Sequence, residues 1–236
     1  VGEPFEAIRR EGGSAVLSVS AAVDAAAFVY RLARAGGRER LSWRDRSGKR
    51  LEPYFDFGGD NVELSPDGRR AVVVRTSDLW LIDLPRALPT RFTSGDGFEG
   101  SPAWSPDSTK VAFGHRSGVQ LKALTGAEST LLQGEKRERV ALPADWSRDG
   151  KYLLYRTIGA TTNGDLWALP LVGEAKPFPV VETRFDETRG QFSPDGRWVS
   201  YESNESGLVP GWDPRGRLGQ PRRRRRRGLF SGVAIL

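Results

Sequence analysis

The chain contains no cysteine and a single histidine, His115. Disulfides and thiolate metal sites are therefore excluded. One histidine rules out a multi-histidine metal cluster and leaves a single candidate for any histidine-based triad. No run approaches the ~20 apolar residues that cross a bilayer as a helix; Ala21–Tyr30 is short and carries Asp24. No secretory signal pattern is visible. The chain begins at Val1 rather than Met and is read as a piece of a longer protein. A field of one charge sign is missing as well. The formal net charge of +6 comes from the block Arg222–Arg227, without which 30 basic residues face 30 acidic ones. Such a neutral body has no global pull toward nucleic acid.

Catalytic patterns are missing too. No serine sits in a Gly-x-Ser-x-Gly elbow, and neither a kinase Gly-rich loop nor a His-Arg-Asp loop occurs. Gly12-Gly13 and Gly95-Asp-Gly97 lack the strand–loop–helix setting of a phosphate cradle.

What is present is a repeat. Leu64-Ser-Pro-Asp-Gly68, Trp104-Ser-Pro-Asp-Ser108, Trp146-Ser-Arg-Asp-Gly150 and Phe192-Ser-Pro-Asp-Gly196 recur at spacings of 40, 42 and 46 residues. Each joins an apolar residue to a tight turn and then to a β-type run: Ala71–Val74, Val111–Phe113, Tyr152–Tyr155 or Trp198–Tyr201. Ser at the first turn position, Pro at the second and Gly at the fourth fit a type I turn. A period of roughly 40–45 residues built from short strands is that of a β-propeller blade. In the clearest unit Ala71–Val74 is followed by the turn Arg75–Ser77, a third strand Asp78–Leu84 stopped by Pro85 and Pro89, and an outer strand Arg91–Thr93. Its apolar runs are continuous, as expected of strands covered on both faces.

The next unit runs through Val111–Phe113, Val119–Leu124 and Thr130–Leu132. The one after it inserts five residues around Gly159–Gly164 before Asp165–Leu169 and places its outer strand near Pro179–Glu182. Ala15–Phe57 reads as a degenerate blade, with Ala21–Ala35 open to either strand or helix. The expected organisation is a lead-in at 1–14, the degenerate blade at 15–57, blades at 58–98, 99–138 and 139–186, a partial blade at 187–207 and an irregular Arg-rich tail at 208–236. The fold class is all-β: a propeller of four-stranded antiparallel blades, incomplete at four to five units.

These repeats resemble the TolB-like propeller repeat, a relative of the WD-type blade. Its mark is an apolar residue, Ser-Pro-Asp-Gly, an apolar strand and an Asp-Leu-Trp strand, carried most fully by Leu64–Leu84 and Trp146–Leu171. Trp146–Leu171, Lys176–Pro179 and Gln191–Tyr201 also look like the C-terminal propellers of bacterial membrane-anchored serine/threonine kinases. The chain departs from the pattern at Arg148 for the turn Pro, at Ser108 for the turn Gly, at Gly118–Leu124 without Asp-Leu-Trp, and after Gly207, where the third strand of the last unit is missing. The resemblance implies a non-catalytic scaffold for protein or ligand binding or sensing, within a larger protein. A periplasmic or extracytoplasmic location is the matching expectation. The alternatives are an accessory propeller of a prolyl-oligopeptidase-type hydrolase or a kinase, and an arginine arm, Arg222–Arg227, for nucleic acid or an anionic surface.

Each candidate residue also has a structural reading. Asp67, Asp107, Asp149 and Asp195 recur at one turn position, where a carboxylate accepts turn N–H bonds, so they read as structural. Trp80, Trp104, Trp146 and Trp167 read as packing between blades. His115 reads as an exposed loop histidine without a base–nucleophile partner. No catalytic, cofactor or metal residue is assigned, and nucleic acid is a disfavoured partner. Binding is expected on the loops after the second strands, with Arg75, His115, Arg116, Asn163 and Asn204 as candidates, since variable loops on a rigid frame carry recognition.

Overall fold

The computed structural model describes residues 15–21, 27–33, 40–45, 50–55, 59–133, 139–159, 164–173 and 176–205, and for 15–55 the backbone alone. The description falls into two compact units, Val1–Gly134 and Glu135–Leu236. Among the described residues every regular element is a β-strand.

Ser65 shows how the repeat folds locally. Its carbonyl accepts the Gly68 N–H at 2.8 Å, closing the turn, and its hydroxyl accepts the Arg70 N–H at 2.9 Å. Gly68 takes φ +68°, a left-handed conformation that costs glycine nothing. The chain then reverses from β5 (Asp60–Leu64) into β6 (Arg70–Arg75). Thr76 and Ser77, both at positive φ, turn it again into β7 (Asp78–Asp83), a two-residue hairpin turn whose twist matches that of the strands. β8 (Leu88–Arg91) completes the sheet in the order β5-β6-β7-β8. The outer strand thus begins earlier than the prolines imply. Pro89 lies inside β8, because a sheet edge leaves one side of the strand without ladder bonds and tolerates a missing N–H.

The same meander builds the other sheets. In the first unit β1 (Ala15–Ala21), β2 (Ala27–Ala33), β3 (Arg40–Asp45) and β4 (Arg50–Phe55) form one sheet. The helical option over Ala21–Ala35 gives way to β2, which pairs with β1 and β3 through Phe28, Val29 and Tyr30; residues of this kind favour a pleated surface over a helix. β9 (Glu99–Trp104), β10 (Lys110–His115), β11 (Gly118–Ala123) and β12 (Glu128–Gln133) form the third sheet. In the second unit β13 (Arg139–Trp146), β14 (Tyr152–Gly159), β15 (Asp165–Pro170) and β16 (Phe178–Val181) are followed by the pair β17 (Glu187–Phe192) and β18 (Val199–Ser203). The inner strands start earlier than the sequence reading placed them: Glu99–Gly100, Arg139–Pro143 and Glu187–Gly190 are strand, not connection.

Sheets stack through side chains of alternating direction. On β6, Ala71 and Val73 join Val62, Leu64, Ile82 and Leu84, while Val72 and Val74 join Leu79 of β7 and Trp104, Val111 and Phe113 of the next sheet. Both faces of β6 are therefore buried, as its unbroken apolar run requires. In the second unit Leu153, Leu154, Leu166, Ala168 and Val199 are each 1 % exposed or less. Each inner strand also carries a register break a few residues before its turn. In three of them a positive-φ residue, Asn61, Ser101 or Arg189, marks the bulge. A repeated bulge bends the inner strand in the same place in each sheet.

Candidate binding rim

Both ends of the sheets carry polar groups, and they differ in kind. At the turn end, the Asp67 carboxylate accepts the Ser65 hydroxyl at 2.5 Å and the Arg69 N–H at 2.9 Å. Asp107, Asp149 and Asp195 repeat this with Ser105 and Thr109, Ser147 and Lys151, and Ser193 and Arg197. For Asp67 burial pulls the carboxyl upward, but the Ser65 and Arg69 hydrogen bonds and the Arg69 and Arg70 charges outweigh it and hold it below its ordinary range. The Ser105 bond chiefly lowers Asp107, the Lys151 N–H lowers Asp149, and the Ser193 bond lowers Asp195. All four carboxyls are thus held ionised by their own turns.

Ser108, the departure from the turn glycine, adopts φ +59° and has a use of its own. Its hydroxyl accepts the Asp67 N–H at 3.0 Å, tying the turn of one sheet to the turn of the next. The Trp104 indole N–H does the same to the Glu63 carbonyl at 3.1 Å.

The opposite end holds the predicted binding residues. Arg75 is the last residue of β6, not a loop residue, and its guanidinium lies 5.8 Å from the centre of the Trp80 ring. His115 likewise closes β10 and is half-buried, which corrects the exposed-loop reading. It also has a partner: Nδ1 lies 2.7 Å from the Ser117 hydroxyl and accepts the Ser117 N–H at 3.2 Å. Gln120 Nε2 donates to Ser117, and Thr130 donates to Gln120, so the network runs from the hairpin turn across β11 to β12. The Nδ1 contact to a serine two residues away closes the hairpin turn upon itself. Arg116 is exposed at the tip of this turn. Asn204 accepts the Asp186 N–H at 2.9 Å and so braces the end of β18. Asn163 lies outside the described residues, as do Arg222–Arg227.

Sequence reasoning missed the carboxylates of this end. Glu99 and Glu187 stand at equivalent positions, five residues before Trp104 and Phe192, and are 4 % and 1 % exposed. Each donates its N–H to the carbonyl that precedes the third strand of the sheet before it, Ser77 at 3.0 Å or Gly164 at 2.7 Å. Their repetition at one offset was the available signal. Glu187 Oε1 accepts the Thr183 hydroxyl at 2.7 Å and the Ser203 hydroxyl at 3.3 Å, while its Oε2 is buried without a hydrogen-bond partner. Burial pushes this carboxyl up; the two hydroxyls oppose the shift, and the nearby Asp165 and Asp186 charges add to it. Arg156 crosses from β14 to donate to the Glu187 carbonyl at 2.9 Å and to pair with Asp186. Gly164 leaves room for it, since a Cβ there would run into the guanidinium. No cluster suited to a metal ion occurs among the described residues.

These four-stranded antiparallel sheets, each a simple meander, are blades of an incomplete β-propeller. No protein-family model matches the chain and no curated protein does either. Solved structures do match. TolB from Acinetobacter baumannii has a TM-score of 0.65 at 19 % identity, over 81 % of this chain and 52 % of its own. A TolB candidate from Agrobacterium tumefaciens has a TM-score of 0.65 at 16 % identity, over 83 % of this chain and 72 % of its own. Prolyl oligopeptidase B from Galerina marginata has a TM-score of 0.55 at 14 % identity, over 82 % of this chain and 34 % of its own. The fold is therefore that of a TolB-like propeller, and the chain spans about half the length of the Acinetobacter TolB.

Proposed function

We propose that this chain is a non-catalytic propeller scaffold, part of a larger extracytoplasmic protein, that binds a protein or small-ligand partner through the hairpin end of its sheets. The likeness to TolB carries the reading. The contrast between the two sheet ends supports it. Turn-end carboxylates are consumed by their own backbone, whereas Arg116 projects at the tip of a hairpin stiffened by the His115–Ser117–Gln120–Thr130 network. A photo-crosslinking residue at position 116 is expected to capture a partner in cells carrying the gene, and one at position 148 is not. Capture from 148 alone would reverse the rim assignment. The non-catalytic part is tested through the His115–Ser117 contact: ester or peptide turnover by the purified chain that disappears in Ser117→Ala would overturn it.

A second reading has its own support. A structure of prolyl endopeptidases matches with a TM-score of 0.58 over 82 % of this chain but 33 % of that one, as expected if the chain were the accessory propeller of a larger hydrolase. Flanking coding sequence containing a Gly-x-Ser-x-Gly elbow favours that parent, and kinase motifs favour the other. Fold likeness by itself does not choose between them.

A further inference from the structure

The pair β17–β18 is fastened to the β13–β16 sheet at both ends of β17, by the Asp145 carboxyl at one end and by the Glu187 backbone and the Arg156 guanidinium at the other. At one end Asp145, on β13, accepts the Phe192 N–H through Oδ2 at 2.7 Å and the Trp146 N–H through Oδ1 at 2.8 Å. Among the described residues its hydrogen-bond donors are these two backbone N–H groups, and its cross-strand neighbour on β14 is Leu154. At the other end Glu187 is enclosed with one oxygen unpartnered. It faces Asp165 from β15, Asp186 beside it and Tyr201 from β18. The Arg156 guanidinium goes to the Glu187 carbonyl and to Asp186. Between the two ends β17 lies close on its neighbours: a Cβ at Gly190 would come within 2.7 Å of Leu154 and 3.0 Å of Leu166.

We propose that this fastening is a proton-sensitive latch, in which Asp145 and Glu187 hold β17–β18 docked when protonated and loosen it when ionised. Glu187 is buried and Asp145 half-buried; a carboxylate shielded from water without a cation is stabilised by losing its charge, and undocking returns it to water. The electrostatics agree in direction. Burial pushes Asp145 up to about 6 from 3.8, against the opposing Phe192 and Trp146 bonds, and pushes Glu187 up as well. A group raised in the docked state contributes most below its open-state pKa, and the contribution fades as pH climbs through the docked value.

The test is amide hydrogen exchange of Phe192 and Glu187 in the whole chain, expressed as protection factors to remove intrinsic pH effects. Protection should fall roughly 30-fold for Phe192 between about pH 4.5 and pH 8, from the Asp145 shift alone. Asp145→Asn should remove most of this dependence and Asp145→Asn/Glu187→Gln the rest, while Asp149→Asn should leave it intact. Flat protection in the unmodified chain, or dependence surviving in the double variant, would overturn the latch. Should the variants fail to fold, carboxyl-carbon titration of the unmodified chain still decides. A midpoint for Asp145 near 6 supports the latch, and an ordinary aspartate midpoint overturns it.

Discussion

The sheet β5–β8 meets β9–β12 through an indole, a serine hydroxyl and a dense apolar layer, with Trp104, Val72, Val74 and Phe113 at its centre. The pair β17–β18 meets β13–β16 through Asp145, Arg156, Asp186 and Glu187. The Ser-x-Asp turns of the two regions are built alike. Buried glutamates, Glu99 and Glu187, stand alike in both regions; what differs is the rest of the cement, neutral hydrogen bonds and apolar area on one side, Asp145, Arg156 and Asp186 on the other. Neutral contacts hold at any pH. Buried charges hold only where each is paired or discharged. One repeat can thus yield blades of unequal robustness without any change in its turn chemistry.

The largest expected effect strikes the apolar side. Phe113 is 1 % exposed, and Phe113→Ala should cost about 3–5 kcal/mol, seen as a large drop in the denaturant midpoint. Phe98, at 51 % exposure, is the control: its alanine variant should stay within about 0.5 kcal/mol of the parent. On the ionisable side Gly164→Ala forces Arg156 off the Glu187 carbonyl and Asp186, and should cost about 1–3 kcal/mol. Exchange near β17 should rise while β6 and β10 keep their protection; uniform loss would mean that the cement is shared.

Trp104→Phe keeps the ring and removes the N–H to Glu63, leaving a carbonyl short of its donor, for about 1 kcal/mol by thermal denaturation. Acid should act in opposite directions on the two kinds of carboxyl. The turn aspartates have lowered pKa values, so their contribution is present above 3.8 and disappears as pH falls through the folded values. Melting curves at about pH 5 and pH 2.5 should show this loss, and Asp107→Asn should diminish it. Smallest is Ser108. Ser108→Gly removes a strained φ of about 1 kcal/mol together with a hydrogen bond of similar worth, so it should be nearly neutral. Ser108→Ala keeps the strain and loses the bond, and should be the worse of the two by about 1 kcal/mol.

Much of the architecture was legible beforehand because it is local. A turn of Ser-Pro-Asp-Gly bonds to itself within a few residues, and an unbroken apolar run such as Ala71–Val74 must be covered on both faces. Errors gathered where local preference was weak. Pro89 looked like a stop and proved to be an edge-strand residue, and the alanine-rich stretch around β2 was settled by its two pairing partners. The candidate rim was legible as loops but not as chemistry. His115 and Ser117 meet because a two-residue turn brings their ends together, which spacing permitted but did not state.

The repeat by itself determined the meander, its turns and the antiparallel blades, since each rests on bonds and periodicities closed within about forty residues. Only the tertiary structure decided which polar side chains became joints between blades. Asp145 reaches Phe192 and Arg156 reaches Asp186 across 47 and 30 residues of chain. A carboxylate's hydration or burial depends on which sheet comes to lie over it, and so does the proton it holds.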